Sequence, residues 1–287
     1  MVSYRKKHIK NKIGKIKPKK PLVKKLWFWI LILVFITVFS VTYTILFYSG
    51  IQVKNVEISG NSKTNTKELQ DLVMNGSGTG LLKLWDFKIT SKSILFANTG
   101  KINKDILDKF PGIKNLKIEK KYPQTITVGV TERNPVGIYC GNALDNGENC
   151  FFIDEDGVAF EQVSNLPSNF TIVRQMNASS ETSTGKEPVA QNVINAISQV
   201  KKDLKDTFNI DLEEALITSP VRLNVKTSEN WQIYFDLASG ADINSQLTKL
   251  NLLLSGEGDL KSRKNLRYID LRPKDRAIIC DNSTCGK

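Results

Sequence analysis

The chain has 287 residues and a formal net charge of +12, which by itself would suggest a nucleic-acid-binding protein. The charge is concentrated, however: eleven of the 41 Lys and Arg residues lie within residues 1–26, which contain no acid, and the rest of the chain has 30 bases against 29 acids. The composition therefore excludes a nucleic-acid surface spread over the whole chain. A DNA-binding N-terminal arm remains an alternative, although neither aromatic residues nor a known motif are interleaved with its lysines.

Residues 26–49, LWFWILILVFITVFSVTYTILFYS, contain no charged residue. As a helix rising about 1.5 Å per residue, this segment is about 36 Å long, enough to cross a hydrocarbon core of about 30 Å. Trp27 and Trp29 lie near one end and Tyr43 and Tyr48 near the other, as is typical of membrane interfaces. A cleaved signal peptide is the alternative, but its apolar region normally has about 7–15 residues and ends in a small-residue cleavage site. We therefore predict one transmembrane helix.

The basic arm, residues 1–25, predicts the orientation of this helix. Lys and Arg that flank a span stay on the cytoplasmic side, which places residues 50–287 outside the cytoplasm. A polybasic segment next to a span also attracts anionic lipid, with about 1 kcal/mol per basic residue near the surface. The sequence thus predicts a single-pass protein with a cytoplasmic N-terminus and an exported C-terminal part.

Residues 51–133 predict a small α+β domain with the order strand, helix, helix, strand, strand. Asn65 and Glu68 resemble a capping box at the start of the first helix. The second helix is expected over 102–110, since Pro111 cannot continue it. Two alternating strands follow, and residues 81–101 between the helices show no clear pattern.

Residues 134–280 predict a second, β-rich domain with two helices packed on a sheet. Apolar residues at helical spacing indicate helices over 189–208 and from about 242 to 254, and alternation indicates a hairpin over 221–236. Residues 161–186 are interpreted as a surface loop, residues 276–280 as the last strand, and residues 281–287 as a polar tail. The run Asp154 to Gly157 is typical of a hairpin turn, with a calcium site as the alternative.

The four cysteines all lie in the exported part, where disulfides can form. Their spacing favours the pairs Cys140 with Cys150 and Cys280 with Cys285, each closing a short polar loop. The chain-entropy model assigns roughly 2–3 kcal/mol to a loop of about ten residues. A zinc site with four thiolate ligands is the alternative, although neither spacing is typical of one.

His8, in the basic arm, is the only histidine of the chain. The exported part therefore lacks the imidazole that Ser-His-Asp and Cys-His hydrolases and the usual catalytic zinc sites need. Composition does not exclude a Ser-Lys nucleophile pair, since Ser and Lys are both abundant. We predict no catalytic, cofactor-binding or metal-binding residues, and expect the exported domains to act through their surfaces.

Three segments are informative together: VKNVEISGNSKTNTKEL from residue 53, IKNLKIEKKYPQTITVGVTERNPV from residue 113, and LRYIDLR at 266–272. They resemble the FtsQ/DivIB family of bacterial division proteins. By this resemblance the first domain is expected to be a POTRA domain, with the order βααββ. The chain departs from the family in the longer segment 83–101, in its four cysteines and in Pro273, where the family commonly has a bulky residue.

The resemblance also implies a function without catalysis. In the family, the last strand binds the division protein FtsB, which comes with FtsL, and the complex helps to control the septal peptidoglycan synthase. Carried over to this chain, the binding strand comprises Arg276, Ala277, Ile278 and Ile279, supported by the preceding strand with Tyr268, Ile269, Asp270, Leu271 and Arg272. The sequence pattern is consistent with this expected binding strand. A last strand that is followed by a polar tail leaves one sheet edge uncovered, and another strand can be added to such an edge. By this resemblance the protein is expected to lie in the inner membrane, at the division septum.

Two other functions are alternatives. A membrane-anchored cell-envelope enzyme or substrate receptor predicts a deep pocket with converging polar groups in the second domain. An outer-membrane POTRA transporter is disfavoured, since its barrel needs more strands than the residues after the first domain provide, and a helical span belongs to the inner membrane.

Overall fold

The computed structural model describes residues 23, 25–84, 87–142, 149–176, 182–238, 240–255, 263–282 and 285. Most of the predicted cytoplasmic arm, residues 1–25, and most of the predicted tail, residues 281–287, lie outside these ranges. Helix α1, Leu26–Phe47, is long and apolar enough to cross a membrane, and none of its residues is buried in the protein. This confirms the predicted apolar helix, which ends two residues earlier than expected.

The remaining elements form two domains after α1. The first domain comprises β1 (Asn55–Ser59), α2 (Thr66–Gly76), β2 (Thr79–Leu84), β3 (Phe87–Ser91), α3 (Thr99–Lys109), β4 (Ile113–Lys121) and β5 (Thr125–Glu132). The second comprises β6 (Gly137–Asn142), β7 (Cys150–Ile153), β8 (Ala159–Val163), β9 (Ile172–Gln175), α4 (Gln191–Phe208), β10 (Leu212–Ser219), β11 (Arg222–Thr227), β12 (Gln232–Asp236), α5 (Ile243–Ser255), β13 (Leu266–Asp270) and β14 (Ile278–Asp281). The fold class is α+β, as predicted.

The first domain is a three-stranded sheet covered by two helices. Its strands are ordered β1-β5-β4, with β1 parallel and β4 antiparallel to β5. Asn65 caps α2 by accepting a hydrogen bond from the amide of Lys67, at 2.9 Å. The helices and strands bury one core, whose members are Val53, Leu69, Val73, Ile94, Ala97, Ile102, Ile106, Ile113, Leu116, Ile126, Val128 and Val130.

The predicted order of the first domain holds, with one addition between its helices. The segment that shows no clear pattern in the sequence forms a separate two-stranded ribbon, β2–β3. Helix α3 then begins at Thr99, three residues before the predicted start, because the side chain of Asn98 accepts a hydrogen bond from the amide of Lys101.

The second domain is a nine-stranded sheet with the order β14-β13-β12-β11-β10-β9-β6-β7-β8. Helices α4 and α5 pack on one face of it, as predicted, and bury the largest core of the molecule. The biggest side chains fully enclosed there are Trp231, Tyr139 and Phe235. The two sheet edges are β8, near the first domain, and β14, at the far end of the strand order.

Two strands contradict the sequence interpretation. Residues 161–186 are not all loop: Ile172–Gln175 form β9, which pairs in parallel with both β6 and β10 and so joins the two halves of the sheet. The sequence pattern does not predict strand β10. Its alternation is broken because register shifts interrupt its pairing with β11 near Leu212 and again near Ser219.

The two domains are joined by an ion-pair cluster around the turn between β7 and β8. The guanidinium of Arg133, directly after β5, binds the buried carboxylate of Asp154 and donates to the carbonyl of Pro111 at 3.1 Å. Lys114, on β4, pairs with Glu155 at 2.5 Å and with Asp156 at 2.8 Å. The acidic turn is thus a hairpin turn whose carboxylates pair with cations of the first domain.

All four cysteines are disulfide-bonded, in the pairs that the spacing favours. Cys140 is bonded to Cys150 across the antiparallel pair β6–β7, and Cys280 to Cys285 after the last strand. A zinc site with four thiolate ligands is therefore ruled out. The loop between Cys140 and Cys150 is described only at its two ends.

Candidate partner-binding site

Strand β14 forms one edge of the nine-stranded sheet. It spans Ile278–Asp281 and pairs antiparallel with β13 on its inner side. Among the residues that the structure describes, no strand pairs with its outer side. The observed strand begins two residues later than the predicted 276–280, so that Arg276 and Ala277 precede it as part of the connection from β13. Ile278 and Ile279 lie on the edge strand itself.

The side chains of this segment alternate between the core and the surface. Ala277 and Ile279 pack against the main core, whereas Ile278 is 42% exposed and Arg276 is exposed. Cys280 is buried and anchors the end of the strand through its disulfide to Cys285. Core packing and the disulfide thus fix the inner side of the edge strand. Its surface presents the apolar side chain of Ile278 near the cation of Arg276.

The predicted supporting strand is present, but only in part. Strand β13 ends at Asp270, and its residues Tyr268, Ile269 and Asp270 pair with Cys280, Ile279 and Ile278. Leu271 extends the contact with β12, since its amide donates to the carbonyl of Tyr234 at 3.0 Å. Arg272 lies outside the strand and folds back onto Asp270, with distances of 2.8 and 2.6 Å from Nε and Nη2 to the two carboxylate oxygens.

Tyr234 is a residue of this site that sequence reasoning missed. Its ring stacks on that of Tyr268 with centroids 5.1 Å apart, and the guanidinium carbon of Arg272 lies 5.4 Å from the ring centroid of Tyr234. Alternation with buried Ile233 and Phe235 predicts that Tyr234 faces away from the helices. The contact with Tyr268 depends on the parallel pairing of β12 with β13, which no local pattern reveals.

Tyr234, Tyr268, Asp270 and Arg272 form a cluster whose charges are set by burial and by ion pairing. Burial alone would raise the pKa of Asp270, but hydrogen bonds from the side chain and amide of Arg272 outweigh it, so that the pKa lies below the ordinary value. Burial raises the pKa of Tyr234, with a further contribution from Tyr268. The Asp270–Arg272 pair is therefore ionised at neutral pH, with its carboxylate held beside Ile278.

Lys249, on α5, holds the connection that leads into β14. Its ammonium donates to the carbonyls of Leu271, Pro273 and Lys274 at 3.1, 2.8 and 3.4 Å. These three acceptors belong to the turn between β13 and β14, so that a single cation on the helix fixes where the edge strand begins. The sequence pattern assigns Lys249 only to the polar face of a helix.

A cleft of about 300 Å³ lies beside this turn, between α5 and the ends of β12 and β13. Two of its polar groups are engaged with the protein: Lys249 binds the turn carbonyls, and buried Gln246 exchanges two hydrogen bonds with the backbone of Asp236, at 2.9 and 2.8 Å. Through these contacts the cleft lining stabilises the fold beside the edge strand.

Comparison with known families gives the first domain its identity. Residues 88–133 match the family described as POTRA domain, FtsQ-type. The chain carries an FtsQ-type POTRA domain. The match begins in β3, covers α3, β4 and β5, and ends at Arg133, and the structure adds β1 and α2 on its N-terminal side. Together with the apolar helix before it, the POTRA domain fits a protein of the FtsQ/DivIB family.

Among curated proteins, no relative matches the chain. The FtsQ-type POTRA domain behind an apolar helix supports a cell-division membrane protein.

Proposed function

We propose that this protein is a non-catalytic, single-pass scaffold of the bacterial division machinery. Its edge strand β14 receives a strand of an FtsB-like division protein that comes with an FtsL-like partner. Through this complex the protein helps to control the septal peptidoglycan synthase. The N-terminal arm lies in the cytoplasm, and the POTRA and β-rich domains lie outside it, at the division septum.

The observation that supports the proposal most directly is the edge of the nine-stranded sheet. Strand β14 is paired on one side, is held in place by Lys249 and by a disulfide, and exposes Ile278. An ordered edge of this kind offers its backbone N–H and C=O groups to an added strand, and neighbouring side chains select which strand binds. The exposed cations Arg267, Lys274 and Arg276 around the edge favour a partner segment with acidic residues.

The orientation rests on charge. Eleven Lys and Arg precede the span, and the remainder of the chain is nearly neutral. Such an imbalance keeps the basic flank in the cytoplasm during insertion. The disulfides in the second domain agree with this orientation, since they form and persist in oxidising compartments.

The proposal is tested by replacing Ile278 with proline in the full-length chain. Proline removes a backbone donor and fixes its own backbone angle, so that strand addition at this position fails. We expect the amount of FtsB-like protein that co-purifies from native membranes to fall about tenfold or more. Circular dichroism of the purified variant establishes whether the domain is still folded.

Gln162→Pro provides the matched control, because Gln162 is exposed on β8, at the opposite edge of the same sheet. This variant is expected to retain the partner. A second variant, Ile278→Lys, leaves the backbone donors in place and adds a cation next to Arg276, and it is expected to weaken capture as well. Unchanged capture by folded Ile278→Pro and Ile278→Lys proteins would refute the edge as the binding site.

A further inference from the structure

The membrane-proximal end of the POTRA domain is where the chain leaves the span. Helix α1, with 22 residues, is about 33 Å long, so its last turn lies at the boundary of a hydrocarbon core of about 30 Å. The hydroxyl of Ser91, at the end of β3, donates to the carbonyl of Leu46 in that last turn at 2.6 Å. Strand β3 therefore ends at the membrane boundary.

Further backbone contacts fix the same end of the domain against the segment that follows the span. The amide of Ile94 donates to the carbonyl of Ile51 at 2.9 Å, and the amide of Val53 donates to the carbonyl of Lys92 at 3.0 Å. On the other side, the side chain of Gln124 donates to the carbonyl of Ser49 at 3.1 Å. The segments around residues 91–96 and 122–124 thus lie beside the exit of the span.

These same segments carry exposed apolar side chains. Among the residues of the POTRA domain whose side chains the structure describes, the exposed large apolar ones are Leu95, Phe96 and Tyr122, at 45%, 44% and 61% exposure. Leu95 is tied to the second segment because the ammonium of Lys120 donates to its carbonyl at 3.0 Å. Aromatic and aliphatic side chains that would be costly to expose to water are thus concentrated next to the membrane.

We propose that Leu95, Phe96 and Tyr122 form a membrane-binding surface that enters the outer leaflet. Exposed Lys54 and Lys92, on the segments that carry this surface, reach anionic lipid headgroups. The POTRA domain is then fixed against the bilayer at two places, the span and this surface. Such a contact sets the orientation of the domain towards the bilayer, because the tilt and rotation of a single span are not fixed by its length alone.

The test measures the depth of a spin label in the bilayer. All four native cysteines are disulfide-bonded, so that a cysteine introduced at Phe96 provides the free thiol for a nitroxide. The full-length chain is reconstituted into nanodiscs of phosphatidylcholine with phosphatidylglycerol. Relaxation of the label by oxygen, which concentrates in lipid, is compared with relaxation by a water-soluble nickel complex. For Phe96→Cys, the ratio of oxygen to nickel relaxation is expected to be several times that of a water-exposed site.

Asp108→Cys is the matched control, since Asp108 is exposed near the other end of α3, about 13 Å along the helix from its start. Its label is expected to show the ratio typical of water. Equal ratios at the two positions would overturn the proposal, and protection of position 96 from both reagents would show that protein covers it instead. In nanodiscs of phosphatidylcholine alone the ratio at position 96 is expected to fall, and an unchanged ratio would refute the role of the anionic headgroups.

Discussion

Glu132 and Arg133 are adjacent in the sequence, but their side chains act in different places. The carboxylate of Glu132 accepts hydrogen bonds from the hydroxyl of Ser62, at 2.6 Å, and from the amides of Lys63 and Thr64. It thereby fixes the loop that leads into α2. Arg133 binds Asp154 in the second domain. Glu132 thus stabilises the POTRA domain internally, and Arg133 connects this domain to the second domain.

Glu132 gives the POTRA domain a predicted pH dependence. Burial opposes its ionisation, but the hydrogen bonds from Ser62, Thr64 and Lys63 outweigh this effect and lower the pKa to about 2 from 4.5. Since the folded pKa is depressed, the stabilisation is fully present above about pH 4.5 and is lost as the pH falls towards 2. Glu132→Gln is therefore expected to lower the free energy of unfolding by about 1–3 kcal/mol near neutral pH.

The difference between wild type and Glu132→Gln is expected to shrink between about pH 5 and pH 2, as measured by urea denaturation followed by circular dichroism. Glu119→Gln is the control, because Glu119 lies exposed on β4 and pairs with exposed Lys117 at 2.8 Å. Its effect is expected to stay within about 0.5 kcal/mol. If the difference in the free energy of unfolding between wild type and Glu132→Gln did not change with pH, this would contradict the lowered pKa of Glu132.

At the scale of elements, the edge strand depends on the helix behind it. Lys249 of α5 binds carbonyls of the β13–β14 turn, and the disulfide Cys280–Cys285 holds the other end of β14. An edge that is fixed at both ends loses little conformational entropy when another strand is added to it. Under the proposed function, helix α5 contributes to binding without facing the partner.

Lys249→Met tests this contribution, because methionine keeps an apolar stem of similar length and removes the ammonium. We expect the free energy of unfolding to fall by about 1–3 kcal/mol and capture of the FtsB-like protein to weaken several-fold, since the turn carbonyls lose their donor. Urea denaturation and co-purification measure the two effects. Lys202→Met, at an exposed position of α4, is expected to change neither, and an equal loss of capture in both variants would contradict the role of Lys249.

The sequence predicts the elements with strong local patterns and misses those defined by distant pairing. The hairpin β11–β12 is found because Leu223, Val225, Ile233 and Phe235 alternate with polar residues and are all buried. Strand β9 escapes detection because it has four residues and pairs in parallel with strands far away in the sequence. Family resemblance predicts that β14 is an edge strand, whereas the contacts of Tyr234 and Lys249 are visible only in the tertiary structure.

For the whole molecule, the distribution of charge, the apolar helix and the order of the domains all agree with the proposed orientation across a membrane. The basic arm precedes the apolar helix, the POTRA domain follows it, and the β-rich domain extends the chain to the exposed edge β14. Arg133 and Lys114 connect the two domains through the acidic turn after β7. The proposed membrane-binding surface and the proposed partner edge therefore lie in different domains, linked by ion pairs.

Photocrosslinking in living cells shows which protein lies against β14. A photoreactive benzoylphenylalanine is placed at position 278 and, in a separate variant, at position 162 on the opposite edge strand β8. We expect an adduct with the FtsB-like division protein from position 278 and none from position 162. An adduct from position 162, or the absence of this partner from position 278 in cells that contain it, would show that β14 is not the edge that binds the partner.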